Sequence, residues 1–258
     1  MAKTLVITNQ KGGVGKTTTA VNLAASLAAC EQRVLLVDLD PQGNATMGSG
    51  VNKGQLRQSV YHVLLGTAQV AQARQRSQQG GYDVLPANRE LGGAEIELVD
   101  LAERETRLKA ALAAIADDYD FILIDCPPAL NLLTLNGLVA ADRVMIPMQC
   151  EYFALEGLTD LVNTLRKVRA GLNPQIEIEG LLRTMYDPRS TLAQQVAVQL
   201  KQHFGDKVYS VVIPRNVRLA EAPSHGLPAL VYDKSSKGAQ AYLALAQEML
   251  EKQPAAVA

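Results

Sequence analysis

The most informative stretch of this sequence is Asn9-Gln10-Lys11-Gly12-Gly13-Val14-Gly15-Lys16-Thr17-Thr18. It follows the apolar run Leu5-Val6-Ile7 and opens a segment with a helical pattern. In such a strand–loop–helix context, glycines let backbone N–H groups approach phosphate oxygens, and the helix start adds the positive end of its dipole. A glycine-rich turn without a ligand is the alternative, but it does not explain Gly-Lys-Thr-Thr where the helix begins. The stretch therefore predicts a phosphate-binding loop.

The loop supplies candidate ligands for both ATP and Mg²⁺. Lys16 can place a mobile cation beside the β- and γ-phosphates, and it is therefore also a candidate catalytic residue. The Thr17 hydroxyl can ligate Mg²⁺. Backbone N–H groups provide the other contacts, so the predicted nucleotide-binding set is Gly12, Gly13, Val14, Gly15, Lys16, Thr17 and Thr18.

Outward from the loop, strand and helix patterns alternate along nearly the whole chain. Such alternation implies right-handed crossovers between parallel strands. We predict an α/β fold of the P-loop NTPase type, which is a doubly wound, mainly parallel sheet with helices on both faces. β-branched apolar runs predict strands at residues 4–8, 33–38, 82–85, 121–125, 143–147, 176–182 and 207–212. Helical periodicity predicts helices at residues 17–30, 87–101, 106–116, 156–170, 191–204 and 238–252.

The chain shows no convincing linker, so residues 1–258 are predicted to form a single domain. The glutamine-rich segment 69–81 is interpreted as an exposed connection that could contain a short strand or helix. The last residues, 253–258, are expected to be frayed.

Composition restricts the class of protein. Only 4% of the residues are aromatic, so the core must consist mainly of aliphatic side chains, which suits helices packed on parallel strands. Cys30, Cys126 and Cys150 lie far apart, form no CxxC pair and are interpreted as thiols in a reducing cytosol. No segment reaches the ~20 apolar residues of a membrane span. We therefore expect a cytoplasmic protein.

Charge is unevenly distributed along the chain. The net charge of −1 argues against a uniformly basic nucleic-acid-binding protein. Between Leu181 and Lys237, however, eight Lys and Arg residues stand against four Asp and Glu residues. This local excess of positive charge makes a basic face possible.

Acidic residues end two of the predicted strands. The run 121–124 ends at Asp125, and the run 34–37 ends at Asp38, with Asp40 two residues later. The carboxyl ends of parallel strands form the crevice in which an α/β sheet binds ligands. A hydrophobic strand that ends in Asp downstream of a phosphate loop is the Walker-B arrangement, so Asp125 is predicted to hold Mg²⁺. Either Asp taken alone could instead be a helix cap or turn residue.

The stretch Lys-Gly-Gly-Val-Gly-Lys-Thr-Thr, residues 11–18, resembles the deviant phosphate loop of the ParA/MinD superfamily. The general motif has glycine where this chain has Gln10, and the next residue here is Lys11. In that superfamily the early lysine reaches across a dimer interface to the phosphates on the other subunit. The resemblance implies that Lys11 contacts ATP in trans and acts catalytically by neutralising the transferred phosphoryl group. A solvated loop lysine is the alternative.

Other stretches resemble the chromosomal ParA/Soj group, and together they extend over nearly the whole chain. They are residues 38–46, 86–88, 93–95, 125–128, 184–187, 213–219 and 221–226. In that group the second acid of Asp-x-Asp-Pro-Gln orients the attacking water, so the resemblance gives this catalytic role to Asp40. Asp38 is interpreted as a support for the switch and metal region. Pro214 and Asn216 resemble the adenine-side contacts of the family.

The resemblance also implies partners. In this family ATP binding closes a homodimer that binds double-stranded DNA without sequence preference, and a ParB-type centromere-binding protein stimulates hydrolysis. A nucleoid-associated protein is therefore expected. Positions matching Arg189 and Arg218 contribute to DNA binding in the family. Three lysines are added on sign and neighbourhood alone, with a solvated surface role as the alternative: Lys201, Lys234 and Lys237.

The phosphate loop alone does not select one branch of the superfamily. Iron–sulfur carriers need paired or bridging cysteines, which three scattered cysteines do not provide, although Cys126 lies near the predicted site. Membrane-bound division-site ATPases use a basic amphipathic C-terminal helix, and the ending Leu-Glu-Lys-Gln-Pro-Ala-Ala-Val-Ala offers none, so no membrane partner is expected. A small-molecule ligase on the same fold stays open as an alternative.

Overall fold

The computed structural model describes residues 2–252, so the segment 253–258, predicted to be frayed, lies outside the described residues. The strands in the described part are β1 Lys3–Ile7, β2 Val34–Asp38, β3 Gln75–Ser77, β4 Tyr82–Leu85, β5 Phe121–Asp125, β6 Arg143–Gln149, β7 Glu177–Tyr186 and β8 Val208–Pro214. They form one eight-stranded sheet in the order β3-β4-β2-β5-β1-β6-β7-β8.

The sheet is parallel except at one edge, where β3 runs antiparallel to β4. β1 lies near the centre, between β5 and β6, and is parallel to both. The prediction of a mainly parallel sheet is confirmed. Ile7 pairs with Asp125, and Asp125 pairs with Asp38 on its other side. The loops after these three strands therefore leave the sheet at one edge, next to the point where the strand order reverses, and such a point forms a ligand crevice.

Helices connect the strands and cover both faces of the sheet. Within residues 2–252, no helix is long and apolar enough to cross a membrane. The helices are α1 Lys16–Ala29, α2 Asn44–Gly48, α3 Val60–Leu65, α4 Val70–Ala73, α5 Leu91–Glu97, α6 Arg107–Ala113, α7 Leu132–Ala140, α8 Ala154–Gly171, α9 Thr191–Phe204, α10 Val217–Glu221, α11 Ala229–Tyr232 and α12 Lys237–Glu251.

Two apolar layers lie on opposite faces of the sheet. Successive side chains of a strand point to opposite faces. Leu5 and Ile7 of β1 accordingly belong to a buried cluster with α1 and α12, whereas Val6 belongs to a cluster with α7 and α8. The predicted doubly wound arrangement with helices on both faces is confirmed.

Of three further parts of the chain, one agrees with the pattern-based prediction and two differ from it. The glutamine-rich segment 69–81 contains both α4 and β3, as the prediction allowed. The helix predicted at 87–101 is shorter, because α5 ends at Glu97 and a 3₁₀ turn follows at Leu98–Asp100. Short helices such as α3 have too few residues to show a period.

Helix α7 has no counterpart among the predicted elements. Most of its residues are buried, so it lacks the polar face that produces helical periodicity in a sequence. Gly137 lets this helix approach the sheet closely, since a Cβ there would lie 2.9 Å from Cys126 Sγ. The helix is therefore specified by packing rather than by an alternating pattern.

Candidate nucleotide and magnesium site

The loop between β1 and α1 is open on one side. Gly13 and Gly15 have positive φ angles of 74° and 86°, which glycine adopts without strain. A Cβ at Gly12 or Gly13 would meet no atom within 4 Å. Protein packing thus leaves space beside this backbone, and the predicted phosphate contacts from residues 12–18 border that space.

Side chains from two other strands hold the loop in place. The Thr184 hydroxyl at the end of β7 donates to the Val14 carbonyl oxygen at 2.8 Å. Gln149 Nε2 at the end of β6 donates to the Gly13 carbonyl oxygen at 3.2 Å. Neither residue was assigned a role from the sequence. The sequence signal for Gln149 is a polar side chain at the carboxyl end of a buried strand, and Thr184 also begins the stretch 184–187 that resembles the ParA/Soj group.

Lys16, the predicted phosphate-binding lysine, begins α1 and is buried. Its Nζ donates to the Lys11 carbonyl oxygen at 3.3 Å. Burial lowers the pKa of Lys16, while the charge of Asp125 acts in the opposite direction. The ammonium group is therefore held inside the site by the loop backbone and faces the acidic end of β5.

Asp125 ends β5 and is fully buried. Among residues 2–252, no group meets full hydrogen-bond geometry with either carboxylate oxygen, although the Thr17 hydroxyl lies close enough to interact with the carboxylate. Burial raises the pKa of Asp125 well above its usual range and Asp38 adds to this, whereas Thr17 and Lys16 lower it. An unpartnered buried carboxylate is costly. The pair of Asp125 and Thr17 fits Mg²⁺, because oxygen ligands are those that Mg²⁺ prefers.

Asp38 lies beside Asp125 and organises the loop that follows β2. Its Oδ2 accepts hydrogen bonds from the Thr46 amide at 2.8 Å and the Thr46 hydroxyl at 2.7 Å. Its Oδ1 accepts one from the Asp40 amide at 3.1 Å. Burial raises the pKa of Asp38 to about 6. These bonds let Asp38 position Asp40, and its role as a support for the switch and metal region stays a prediction.

Asp40 is half-buried at the same edge of the sheet. Its Oδ1 accepts a hydrogen bond from the Gln42 amide at 2.9 Å. Its charge raises the pKa values of both Asp125 and Lys16, so it shares their electrostatic environment. The next turn requires Gly43, which has a φ of 62° and whose Cβ would lie 2.6 Å from a backbone oxygen. A partly accessible carboxylate in this position can accept a hydrogen bond from water.

A cavity of about 430 Å³ adjoins the loop and shares Gly15 and Thr18 with it. Pro214 and Asn216, the predicted adenine-side residues, both line this cavity. Asn216 Oδ1 accepts hydrogen bonds from two backbone N–H groups of α10, at 3.0 and 3.3 Å, which leaves its side-chain NH₂ group to donate to a base. Met185 lines the cavity with a φ of 49°, a strained value of the kind found at functional sites.

Lys11 occupies the outer rim of the loop. Its Nζ lies 2.5 Å from Glu151 Oε2 of the same chain, and both side chains are about half-exposed. Glu151 was not singled out from the sequence. The structure therefore places the ammonium group of Lys11 in a surface ion pair.

The cysteines are unpaired thiols. Cys126 and Cys150 are buried, and burial raises the pKa of both thiols. Both thiols are therefore less readily deprotonated than an exposed cysteine.

The two arginines predicted to bind DNA are exposed and paired with acids. Arg189 donates to both carboxylate oxygens of Asp187, at 3.0 and 2.9 Å, and its side chain is 89% exposed. Arg218 lies 2.8 Å from Glu221 and 3.2 Å from Asp233. Each cation is thus accessible to solvent but already has a counter-ion.

The predicted cations do not all lie together. Arg189 and Arg218 follow the carboxyl ends of β7 and β8. They therefore lie on the same side of the sheet as the phosphate loop, at the carboxyl ends of the strands, which we call the nucleotide edge. Lys234 and Lys237 are exposed near the start of α12, which packs beside Asn216. Lys201 lies in the last turn of α9, whose chain leads to the start of β8. It therefore occupies the opposite edge, away from the other four.

Known proteins resemble this chain in both sequence and structure. A family model described as an AAA domain matches residues 2–178. The chromosome partitioning protein ParA of Caulobacter vibrioides is 54% identical, over 97% of this chain and 95% of that protein. The sporulation initiation inhibitor protein Soj of Bacillus subtilis is 56% identical, over 96% of this chain and 98% of that protein. The chain belongs to the ParA/Soj family of ATPases. The resemblance identified in the sequence is confirmed.

Solved structures of related ATPases have the same fold as this chain. The crystal structure of cobyrinic acid a,c-diamide synthase from Mycobacterium smegmatis, with bound ATP analog and magnesium, has a TM-score of 0.85 and 40% identity, over 97% of this chain and 95% of that chain. The cell division ATPase MinD of Pyrococcus furiosus has a TM-score of 0.80 and 28% identity, over 97% of this chain and 99% of that chain. The predicted P-loop NTPase fold is confirmed.

Proposed function

We propose that this member of the ParA/Soj family is an ATP-dependent DNA-binding switch for chromosome or plasmid partition. The observation that carries the proposal is the buried, unpartnered carboxylate of Asp125 beside Lys16 and the open phosphate loop. This arrangement suits a nucleotide triphosphate with its metal ion. The exposed cations at the same edge suit a polyanion, so nucleotide and DNA sites lie close enough to influence each other.

The residues of the site have separate roles in ATP hydrolysis. Lys16 and the loop amides bind the β- and γ-phosphates and neutralise charge where it develops. Asp40 orients the attacking water by accepting a hydrogen bond from it. Thr17 and Asp125 hold Mg²⁺, which supplies positive charge beside the phosphates when bound. Pro214 and Asn216 contact the base in the adjoining cavity. Turnover by the chain alone is weak.

ATP binding closes a homodimer in this proposal, with Lys11 of each protomer reaching the nucleotide of the other. Dimerisation thereby joins two weakly binding basic faces, which contact one DNA duplex together. The overall affinity for DNA is then much higher than that of one face. Neutralisation of phosphates by Lys and Arg gives affinity without sequence preference. A ParB-type centromere-binding partner stimulates hydrolysis, which weakens the dimer and releases the DNA. The protein is consequently associated with the nucleoid.

The test is DNA binding with ATP or ADP across a salt series, for the wild type, Lys16→Ala and Arg189→Glu. We expect ATP-dependent binding that falls steeply with salt, and its loss in both variants. Arg189→Glu should still retain ATP, whereas Lys16→Ala should not. Arg169→Glu is a matched control, because Arg169 is exposed in the last turn of α8, far from the nucleotide edge. Binding that ignores the nucleotide would contradict the switch.

A second candidate is an ATP-dependent ligase for a small molecule. It is favoured by the Mycobacterium smegmatis structure named as a diamide synthase, at 40% identity. The identities to partition proteins are higher, at 54% and 56% over similar shares of the chain. Fast turnover that requires a metabolite and is indifferent to DNA would support the ligase instead.

A further inference from the structure

The ion pair between Lys11 and Glu151 joins two loops at the nucleotide edge. Lys11 belongs to the phosphate loop, and Glu151 lies in the short connection between β6 and α8. The Lys11 ammonium donates a charge-assisted hydrogen bond to Glu151 Oε2. Gln149, the last residue of β6, donates to the Gly13 carbonyl oxygen at 3.2 Å. The end of β6 and the connection after it therefore each contact the phosphate loop, and the contact from the connection engages the ammonium group of Lys11.

Exposed aromatic rings adjoin this ion pair. Tyr152 and Phe153 directly follow Glu151, and they are 76% and 67% exposed. Their rings meet edge to face with centroids 5.0 Å apart. Large apolar side chains at such exposure are typical of a surface that another protein covers. The exposed aromatic pair beside the Lys11–Glu151 ion pair supports a location for the second protomer on the same side of the molecule as Lys11.

We propose that Glu151 is a positioning residue that holds Lys11 within its own protomer until ATP-dependent dimerisation. This inference rests on the proposed function, because it requires Lys11 to act across a dimer interface. A lysine ammonium that donates to a carboxylate at 2.5 Å must leave it to reach phosphates on another protomer. The dense negative charge of a triphosphate attracts Lys11 more strongly than one half-exposed carboxylate does. Glu151 thus opposes dimer formation without nucleotide and yields when both protomers carry ATP.

The test is the dimer dissociation constant of Glu151→Gln, measured by sedimentation with Mg²⁺ and a non-hydrolysable ATP analogue. An exposed ion pair typically changes an equilibrium by up to about fivefold. Because both protomers release a lysine, the dissociation constant should fall by the square of that factor, up to roughly 25-fold. Glu156→Gln is the matched control, since it removes the same charge from an exposed position in the first turn of α8. It should leave the constant unchanged.

A double variant separates positioning from general charge effects. In a Lys11→Ala background, Glu151→Gln should no longer tighten the dimer, because no ion pair is left to break. An unchanged or weaker dimer in Glu151→Gln would overturn the inference, as would equal tightening with and without Lys11. If the wild type stays monomeric with saturating nucleotide, the proposed function itself fails, and that result is distinct from a failure of the Glu151 role.

Discussion

The buried carboxylate of Asp125 in the nucleotide site and the exposed guanidinium groups of Arg189 and Arg218, called here the basic face, are held in opposite ways. Asp125 is fully buried, and its carboxylate has no hydrogen-bond partner in the described part of the chain. Arg189 and Arg218 are exposed, and each is bonded to at least one carboxylate. A buried polar group left without a partner costs about 1–3 kcal/mol, and more if it is charged. An exposed ion pair contributes only about 0.2–1 kcal/mol.

This difference in burial and pairing indicates how each region responds when a ligand binds. The buried carboxylate of Asp125 carries a free-energy cost that a bound cation would relieve, so occupancy of the nucleotide site should be coupled to stability. The basic face carries weak ion pairs that a polyanion can replace at little cost, so its affinity is adjustable. Substitutions at the first region should therefore have large effects, and those at the second should have small, graded ones.

The largest effect is expected for Asp40→Ala. Loss of a group that orients the attacking water should lower the rate of ATP hydrolysis by roughly 10²–10⁴-fold. ATP binding should persist, because Lys16 and the loop backbone are unchanged. Single-turnover hydrolysis and equilibrium ATP retention would measure the two properties separately. Hydrolysis at the parental rate would refute the role of Asp40, and loss of ATP binding would make it a structural residue.

A smaller effect, on stability, is expected for Asp125→Asn. Without nucleotide or Mg²⁺, removal of the buried charge should raise the free energy of unfolding by about 1–3 kcal/mol at pH 8. The pKa of Asp125 is raised on folding, so the wild type is stabilised below about pH 4, the usual pKa of Asp, and loses that contribution as pH rises through the raised value. Asp38, with a pKa of about 6, titrates within the same window.

Urea denaturation in EDTA at pH 5 and pH 8 would measure this effect. The gain from Asp125→Asn should be larger at pH 8. In parallel samples without EDTA, Mg²⁺ with ATP should stabilise the variant less than the wild type. Asp206→Asn is the matched control, because Asp206 is fully exposed and should change the free energy of unfolding by less than about 0.5 kcal/mol. If Asp125→Asn were less stable than the wild type at pH 8, this would contradict the interpretation that the buried carboxylate of Asp125 destabilises the folded protein.

The smallest effect is expected for Asp187→Asn on the basic face. Release of Arg189 from its counter-ion should tighten ATP-dependent DNA binding by about two- to fivefold at moderate salt. Asp206→Asn again serves as the control, since it removes an equal charge near Lys201 at the opposite edge. Equal tightening in both variants would show that net charge alone matters and that the bidentate pair of Asp187 and Arg189 does not limit DNA binding.

The sequence by itself determined the features that depend on neighbours along the chain. A phosphate loop needs glycines, a lysine and a threonine in a short run between a strand and a helix, so residues 9–18 predicted it. Asp125 was identifiable because it directly ends an apolar strand. Strand and helix periods likewise repeat over a few residues, and they predicted the parallel sheet with helices on both faces.

Only the tertiary structure decided which distant side chains complete the site. Thr184 bonds to Val14 across 170 positions of the chain, and Glu151 bonds to Lys11 across 140. Helix α7 was also missed, because a helix buried on most sides has no alternating pattern. Contacts between residues far apart in sequence leave no local period, since they arise where strands from separate parts of the chain end at one edge of the sheet. For the same reason the structure alone separated Lys201 from the other candidate DNA-binding cations.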